Sequence, residues 1–115
     1  MARVISVHEY ELKRDVSPED FEAAVRSARE RGLFDLPGLV EVRFARALRT
    51  TRRQAYAAIW TYESREAWEA LWGPPSNPSP RDAHPGVWQE WENGVLAKLL
   101  DRRPDTINFA VYEEV

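Results

Sequence analysis

Apolar and polar positions alternate most sharply between Gln54 and Tyr62. Tyr56, Ala58, Trp60 and Tyr62 fall on one face and Ala55, Ala57, Ile59 and Thr61 on the other, the period-two pattern of a strand covered on both sides. Ser64 then stands at an expected helix N-cap, and Ala67, Trp68, Leu71 and Trp72 share one side of the helix it would begin. Residues 3–12 mix β-branched and aromatic residues with alternating polarity and predict a first strand. Ser17, Pro18, Glu19 and Asp20 follow as an N-cap, a proline for the first turn and acids for the positive end of the dipole. Phe21, Ala24, Val25 and Ala28 give that helix one apolar face, and Gly32 is its expected stop.

From Gly38 to Leu48 the period returns to two, with Val40, Val42, Phe44, Arg46 and Leu48 against Glu41, Arg43, Ala45 and Ala47. Arg46 interrupts the apolar side; its stem is expected to cover the end of the core while its guanidinium reaches water. The turn at 49–53 makes an antiparallel hairpin with the strand that follows. Residues 73–86 contain five prolines and predict a loop insertion. A helix over 87–100 would place Trp88, Trp91, Val95 and Leu99 on one stripe, with Asn93-Gly94 as a weak point or kink. Residues 106–113 close the chain as a fourth strand, Ile107, Phe109 and Val111 on one face and Asn108, Ala110 and Tyr112 on the other.

The order β-α-β-β-α-α-β, with the last two helices in one crossover, predicts an α+β fold: a single ferredoxin-like domain over 1–115 built on a four-stranded antiparallel sheet. Ile5, Val7, Val40, Val42, Phe44, Ile59, Phe109 and Val111 are expected to carry the helices. The opposite face would hold Val4, Ser6, His8, Tyr10, Ala45, Ala47, Tyr56, Ala58, Trp60, Tyr62, Ala110 and Tyr112. That is too much ring and alanine surface to stay in water, so a two-fold-related second copy is expected on it.

Composition narrows the chemistry. The chain has no cysteine, which excludes disulfides, thiolate nucleophiles and cysteine-held metals. No apolar run approaches the roughly 20 residues that span a bilayer, and the N-terminus lacks an apolar signal core, so a cytoplasmic protein without a membrane partner is expected. A net charge of −3 and pI near 5.4 argue against a nucleic-acid partner, and Arg49 to Arg53 reads as a solvated hairpin tip.

Ile59 to Leu71, with its Trp60-x-x-x-Ser64-x-x-Ala67-Trp68 pattern, and Leu36 to Val42, with Pro37-Gly38 before the second strand, carry a family likeness. The chain resembles the dimeric α+β barrel superfamily, in particular its antibiotic-biosynthesis-monooxygenase-like branch. The resemblance is more specific for fold than for activity. It implies a homodimer with sheets face to face, an aromatic-lined pocket between the sheets, and a monooxygenase that needs no cofactor. The haem-degrading members use an asparagine on the first strand, a tryptophan at the second helix and a histidine on the next helix. Here only Trp68 matches, the first strand has no asparagine and His84 lies in the proline-rich loop.

Within such a pocket His8, the only histidine in a predicted strand, would act as acid, base or ligand, or else serve as a hydrogen-bonded interface residue. Arg43 and Asn108 would steady negative charge, although Arg43 and Glu41, two apart on one face, also suit a mutual ion pair. Tyr10, Tyr56, Trp60 and Tyr112 would contact a flat aromatic or hydrophobic ligand, or fill the barrel core themselves. His84 would reach the mouth as a lid residue, or stand exposed. Three readings result: a cofactor-independent small-molecule monooxygenase with His8, Arg43 and Asn108 as its catalytic set and no metal; a non-catalytic ligand-binding or stress-related barrel; and a haem protein ligated by His8 or His84.

Overall fold

Ser17 starts the first helix as its neighbours require: its hydroxyl accepts from the Asp20 N–H at 3.1 Å and the Asp20 carboxylate accepts from the Ser17 N–H at 3.2 Å. The helix ends with Gly32 at φ 73°, where the Gly32 and Leu33 amides close back on the carbonyls of Arg29 and Ala28. The computed structural model describes residues 2–52 and 54–115; Met1 and Arg53, the last residue of the basic turn, lie outside the described residues. The elements are β1 (Val4–Glu11), α1 (Pro18–Glu30), β2 (Leu39–Arg46), β3 (Ala55–Tyr62), α2 (Arg65–Trp72), α3 (Gly86–Gln89), a π-helical stretch Glu90–Leu96, α4 (Ala97–Leu99) and β4 (Asn108–Glu113). Two 3-10 turns, Arg81–Ala83 and Pro104–Thr106, flank the third helix, which runs from α3 through the π-helical stretch to α4. The four strands form one antiparallel sheet in the order β2-β3-β1-β4. This is the ferredoxin-like α+β architecture that the element order predicts.

The two faces of the sheet correct the sequence reading. Ser6 pairs with Trp60 and Val111, His8 with Ala58 and Phe109, and Val42 and Phe44 stand opposite Trp60 and Ala58. Directly opposed residues point to the same side. One face therefore holds Val4, Ser6, His8, Tyr10, Tyr56, Ala58, Trp60 and Tyr62 together with Val42, Phe44, Phe109 and Val111, and this face carries the helices. Trp60 and Ala58 are fully buried, and Phe34 and Trp91 pack their rings against Phe44.

The other face shows Ile5, Val7, Ala45, Ala47, Ala57, Ile59, Ala110 and Tyr112, with Glu9, Glu41, Arg43 and Asn108. The expected pocket between two sheets, lined by Tyr10, Tyr56, Trp60 and Tyr112, is thus not formed: the first three lie in a helix-covered core and Tyr112 is on the other face. Alternation within a strand gives two sets of residues but not their phase between strands. A bulge between Leu39 and Glu41 shifts that phase in β2 and leaves Val40 exposed.

The third helix also departs from its expected stripe. Trp88, Trp91, Leu96 and Leu100 are buried, while Val95 and Leu99 are only half-buried. Trp91 and Leu96 are five apart, the spacing a π turn brings onto one side, and the π-helical stretch spans Asn93-Gly94 where a weak point is expected. Arg46 behaves as expected at the end of the core: its guanidinium leaves the sheet to pair with Glu22 on α1.

Candidate functional site

A cavity of about 570 Å³ lies between the β1 and β4 side of the sheet and the second and third helices. Its floor is made by Ser6, His8, Phe109 and Val111, and its walls by Tyr62, Trp68, Trp72 and Trp88. The helices stop short of the edge strand, so Phe109 and Val111 stay 65% and 37% exposed and the cavity opens there.

The proline-rich segment closes the far wall with Pro74, Pro75, Pro78, Ser79, Arg81 and His84. Gly73 makes this possible. At φ 83° it turns the chain back on itself, and a Cβ there would lie 2.7 Å from the Ser79 nitrogen and 2.8 Å from the Asn77 carbonyl. The Ser79 N–H donates to the Trp72 carbonyl at 2.8 Å, Asn77 N–H to the Pro74 carbonyl at 2.9 Å, and Gln89 Nε2 to the His84 carbonyl at 2.9 Å. An insertion whose regular structure is a single 3-10 turn, Arg81–Ala83, is thereby held in place by its own backbone and by the third helix.

His8 is the polar centre of the floor. Alanine at position 58 leaves room beside it in the ladder, and the rings of Trp60, Trp88, Phe109 and Tyr10 surround it at centroid distances of 5.8, 5.8, 6.0 and 6.4 Å. Ser6 Oγ lies 3.1 Å from His8 Nε2. Burial among rings disfavours the imidazolium and lowers the His8 pKa to about 4, so the ring is neutral at physiological pH. With Nε2 engaged by Ser6, Nδ1 is the nitrogen left to exchange a proton.

Trp72 Nε1 donates to Tyr62 Oη at 3.3 Å, and burial pushes the Tyr62 phenol above its ordinary value. The Trp72 ring meets Trp88 and His84 at 5.1 and 5.0 Å. Burial, and then the neighbouring Arg81, lower the His84 pKa. Glu92, from the π-helical stretch, is buried against the cavity and accepts from Arg81 Nη2 at 3.0 Å; burial raises its pKa and Arg81 opposes the shift.

Of the residues expected at the site, the structure brings His8 and His84 to the cavity wall. Trp60 lies one layer below, supporting His8 and Trp88 without reaching the cavity. Tyr10 is buried beside His8 and packs on Phe21. Tyr56 faces α1, its hydroxyl donating to Glu22 at 2.7 Å and its ring 4.5 Å from Phe21. Arg43, Asn108 and Tyr112 stand on the opposite face of the sheet. Arg43 is 74% exposed and pairs with Glu41 at 3.2 Å, Asn108 lies opposite Glu9 and Tyr112 opposite Ile5. Trp72 and Trp88 read in sequence as core packing, and Arg81 and Glu92 carry no sequence motif. The one available signal was the four-residue step from Trp88 to Glu92, which puts an acid on the tryptophan side of the helix.

The lining does not fit a haem. His8 Nε2 is taken by Ser6 inside a ring of aromatics, and His84 packs edge-on to Trp72. Arg81, the one permanently cationic side chain in the lining among the described residues, is already paired with Glu92, leaving haem propionates without a partner there. Among the described residues no group of three or more His, Asp or Glu side chains could hold a metal ion.

No family model matches the chain, and no curated protein matches it in sequence. Solved structures do match its fold. A protein provisionally named an antibiotic biosynthesis monooxygenase, from Bordetella bronchiseptica, aligns with a TM-score of 0.67 at 16% identity over 100% of this chain and 99% of its own. SnoaB, a cofactor-independent oxygenase from Streptomyces nogalater, gives 0.61 at 16% identity over 100% and 95%. A dimeric protein of unknown function and ferredoxin-like fold from Bacteroides fragilis gives 0.56 at 12% identity over 97% and 96%. These likenesses agree with the resemblance drawn from Trp60 to Trp68 and Pro37-Gly38, and at such identities they show the fold.

Proposed function

We propose that the chain is a cofactor-independent oxygenase that takes a small, electron-rich aromatic, such as an anthrone or hydroquinone, into the cavity between its own sheet and helices. The observation that carries this reading is a neutral, part-buried imidazole on the floor of a cavity walled by tryptophans. Flat rings stack well on such walls. His8 takes the acidic C–H or O–H proton, and the resulting delocalised anion is the electron-rich species that meets dioxygen. For an anthrone the ring methylene becomes a carbonyl, one oxygen atom is retained and the other leaves as water, so the substrate supplies all the electrons. The imidazolium that burial disfavours in the empty site is stabilised beside the substrate anion, because a low-dielectric surround strengthens the pairing. That SnoaB, of the same fold, is described as a cofactor-independent oxygenase supports the assignment.

Oxygen uptake with a panel of anthrones and hydroquinones tests it. Uptake by the wild-type chain that falls by about a hundredfold or more in His8→Gln is expected, the range for a lost general base. Binding of these compounds without uptake would instead make the chain a ligand-binding barrel.

The second part of the reading is a homodimer formed through the open face, where Ile5, Val7, Ile59 and Tyr112 present apolar surface. The dimeric state ascribed to the Bacteroides fragilis neighbour supports it. No helix of the described residues is long and apolar enough to cross a membrane.

A further inference from the structure

We infer that the substrate carries a second hydrogen-bond donor, a hydroxyl remote from the group that meets His8, and that Glu92 receives it and sets the preference for it. This rests on the reading of the cavity as a site for an aromatic ring. Among the polar side chains of its lining, Ser6 is buried on the sheet with His8 part-buried beside it, and Glu92 is buried on the helix that covers them. Glu92 lies in the π-helical stretch, one helical step of four from Trp88. Trp88 and Glu92, four apart, both line the cavity, while Trp91 and Leu96, five apart, both enter the core. Local π geometry of this kind recurs at functional sites.

A buried carboxylate is costly unless it is paired and its lone pairs are used. Arg81 supplies one charged partner at 3.0 Å, and the Trp88 indole also holds the carboxyl pKa down. A carboxylate has about four acceptor positions. Those two donors leave acceptor capacity on a group that borders the cavity. Because Arg81 balances Glu92, and the neighbouring Asp105 in the lining is paired with Arg103 at 3.5 Å, the site calls for a neutral donor rather than a second cation. A hydroxyl bonded to a carboxylate makes a charge-assisted hydrogen bond, and a site built around such a group discriminates against analogues that lack it.

Calorimetric titration of the full chain with 1-naphthol, 1,5-dihydroxynaphthalene and 5-methoxy-1-naphthol tests this without turnover. The diol is expected to bind about tenfold or more tightly than 1-naphthol, and the methoxy compound, with the bulk but no second donor, no tighter than 1-naphthol. In Glu92→Leu the ratio of diol to 1-naphthol affinity is expected to fall to about one, and in Glu92→Gln, which keeps an acceptor oxygen, to remain several-fold. Equal binding of diol and 1-naphthol by the wild-type chain, a methoxy compound as tight as the diol, or a preference that survives in Glu92→Leu would each overturn the inference. If Glu92→Leu does not fold, the three wild-type affinities decide alone. Failure of all three compounds to bind would overturn the ring-site reading as well, whereas tight but indiscriminate binding removes only the role of Glu92.

Discussion

A neutral imidazole under four aromatic rings has a consequence that titration can read. The His8 pKa is lowered from 6.5 to about 4 by burial, whereas in the unfolded chain it returns to its ordinary value. Its contribution to stability is therefore fully present above pH 6.5 and is lost as pH falls from 6.5 toward 4, because over that window the unfolded chain takes a proton that the folded one refuses. At about 1.4 kcal/mol per pH unit, the loss between pH 7 and 5 is roughly 2 kcal/mol. Urea unfolding at the two pH values checks this. Since carboxylates titrate in the same range, the comparison is with His8→Gln, whose drop is expected to be smaller by about that 2 kcal/mol; equal drops would mean that His8 is not held neutral by the fold. At this scale the sequence was partly legible. His8 stands out as a titratable group within an alternating strand, but Glu92 and Arg81 meet only because a π-helical stretch and a 3-10 turn face each other across a loop, which no local spacing encodes.

At the level of elements, strands and helices were legible because each carries its own period and its own punctuation. Ser17 and Ser64 cap, Gly32 stops, and the prolines of 73–86 exclude a helix. The phase between strands was not. Tyr56, Trp60 and Tyr62 sit under helices because the hydrogen-bond register sets them beside Val42 and Phe44, and rings of that size fill the deep layer of an α/β interface where alanine and isoleucine would leave voids.

Gly38 ties the two halves of the interface together. It holds φ 79° at the approach to β2, its carbonyl accepts from the Glu63 N–H at 2.9 Å, and a Cβ there would lie 2.6 Å from the Cβ of Ala67 on α2. Gly38→Ala then combines a left-handed backbone strain of about 1–2 kcal/mol with overpacking of about 1–3 kcal/mol. A loss of about 2–4 kcal/mol, seen as a lower urea midpoint with an unchanged slope, is the expected outcome. A midpoint equal to that of the wild-type chain would show that α2 can move away from β2 freely. Gly38 is also half of the Pro37-Gly38 pair on which the family resemblance rests, which gives that resemblance a packing cause.

For the whole molecule, the proposed assembly face and the cavity lie on opposite sides of the sheet. A sheet with helices on one face leaves its other face to water or to a second copy, and here that face carries Ile5, Val7, Ile59 and several alanines, edged by the Glu9–Arg52 and Glu41–Arg43 pairs. An apolar patch rimmed by charge suits an isologous two-fold contact, in which one charged substitution appears twice. Ile59→Arg, in the middle of β3, is thus expected to convert a dimer to a monomer in size-exclusion chromatography with light scattering. The cavity, bounded by β1, β4 and the helices of a single chain, lies on the far side of the sheet from that contact. The Ile59→Arg monomer is therefore expected to bind 1,5-dihydroxynaphthalene with an affinity within a few-fold of the wild-type value, as distant sites behave independently. Had the pocket lain between two sheets, as the family resemblance implied, dimer and binding would be lost together. A wild-type chain that is already monomeric would remove the second copy, and a monomeric variant that no longer binds would return the site to the interface.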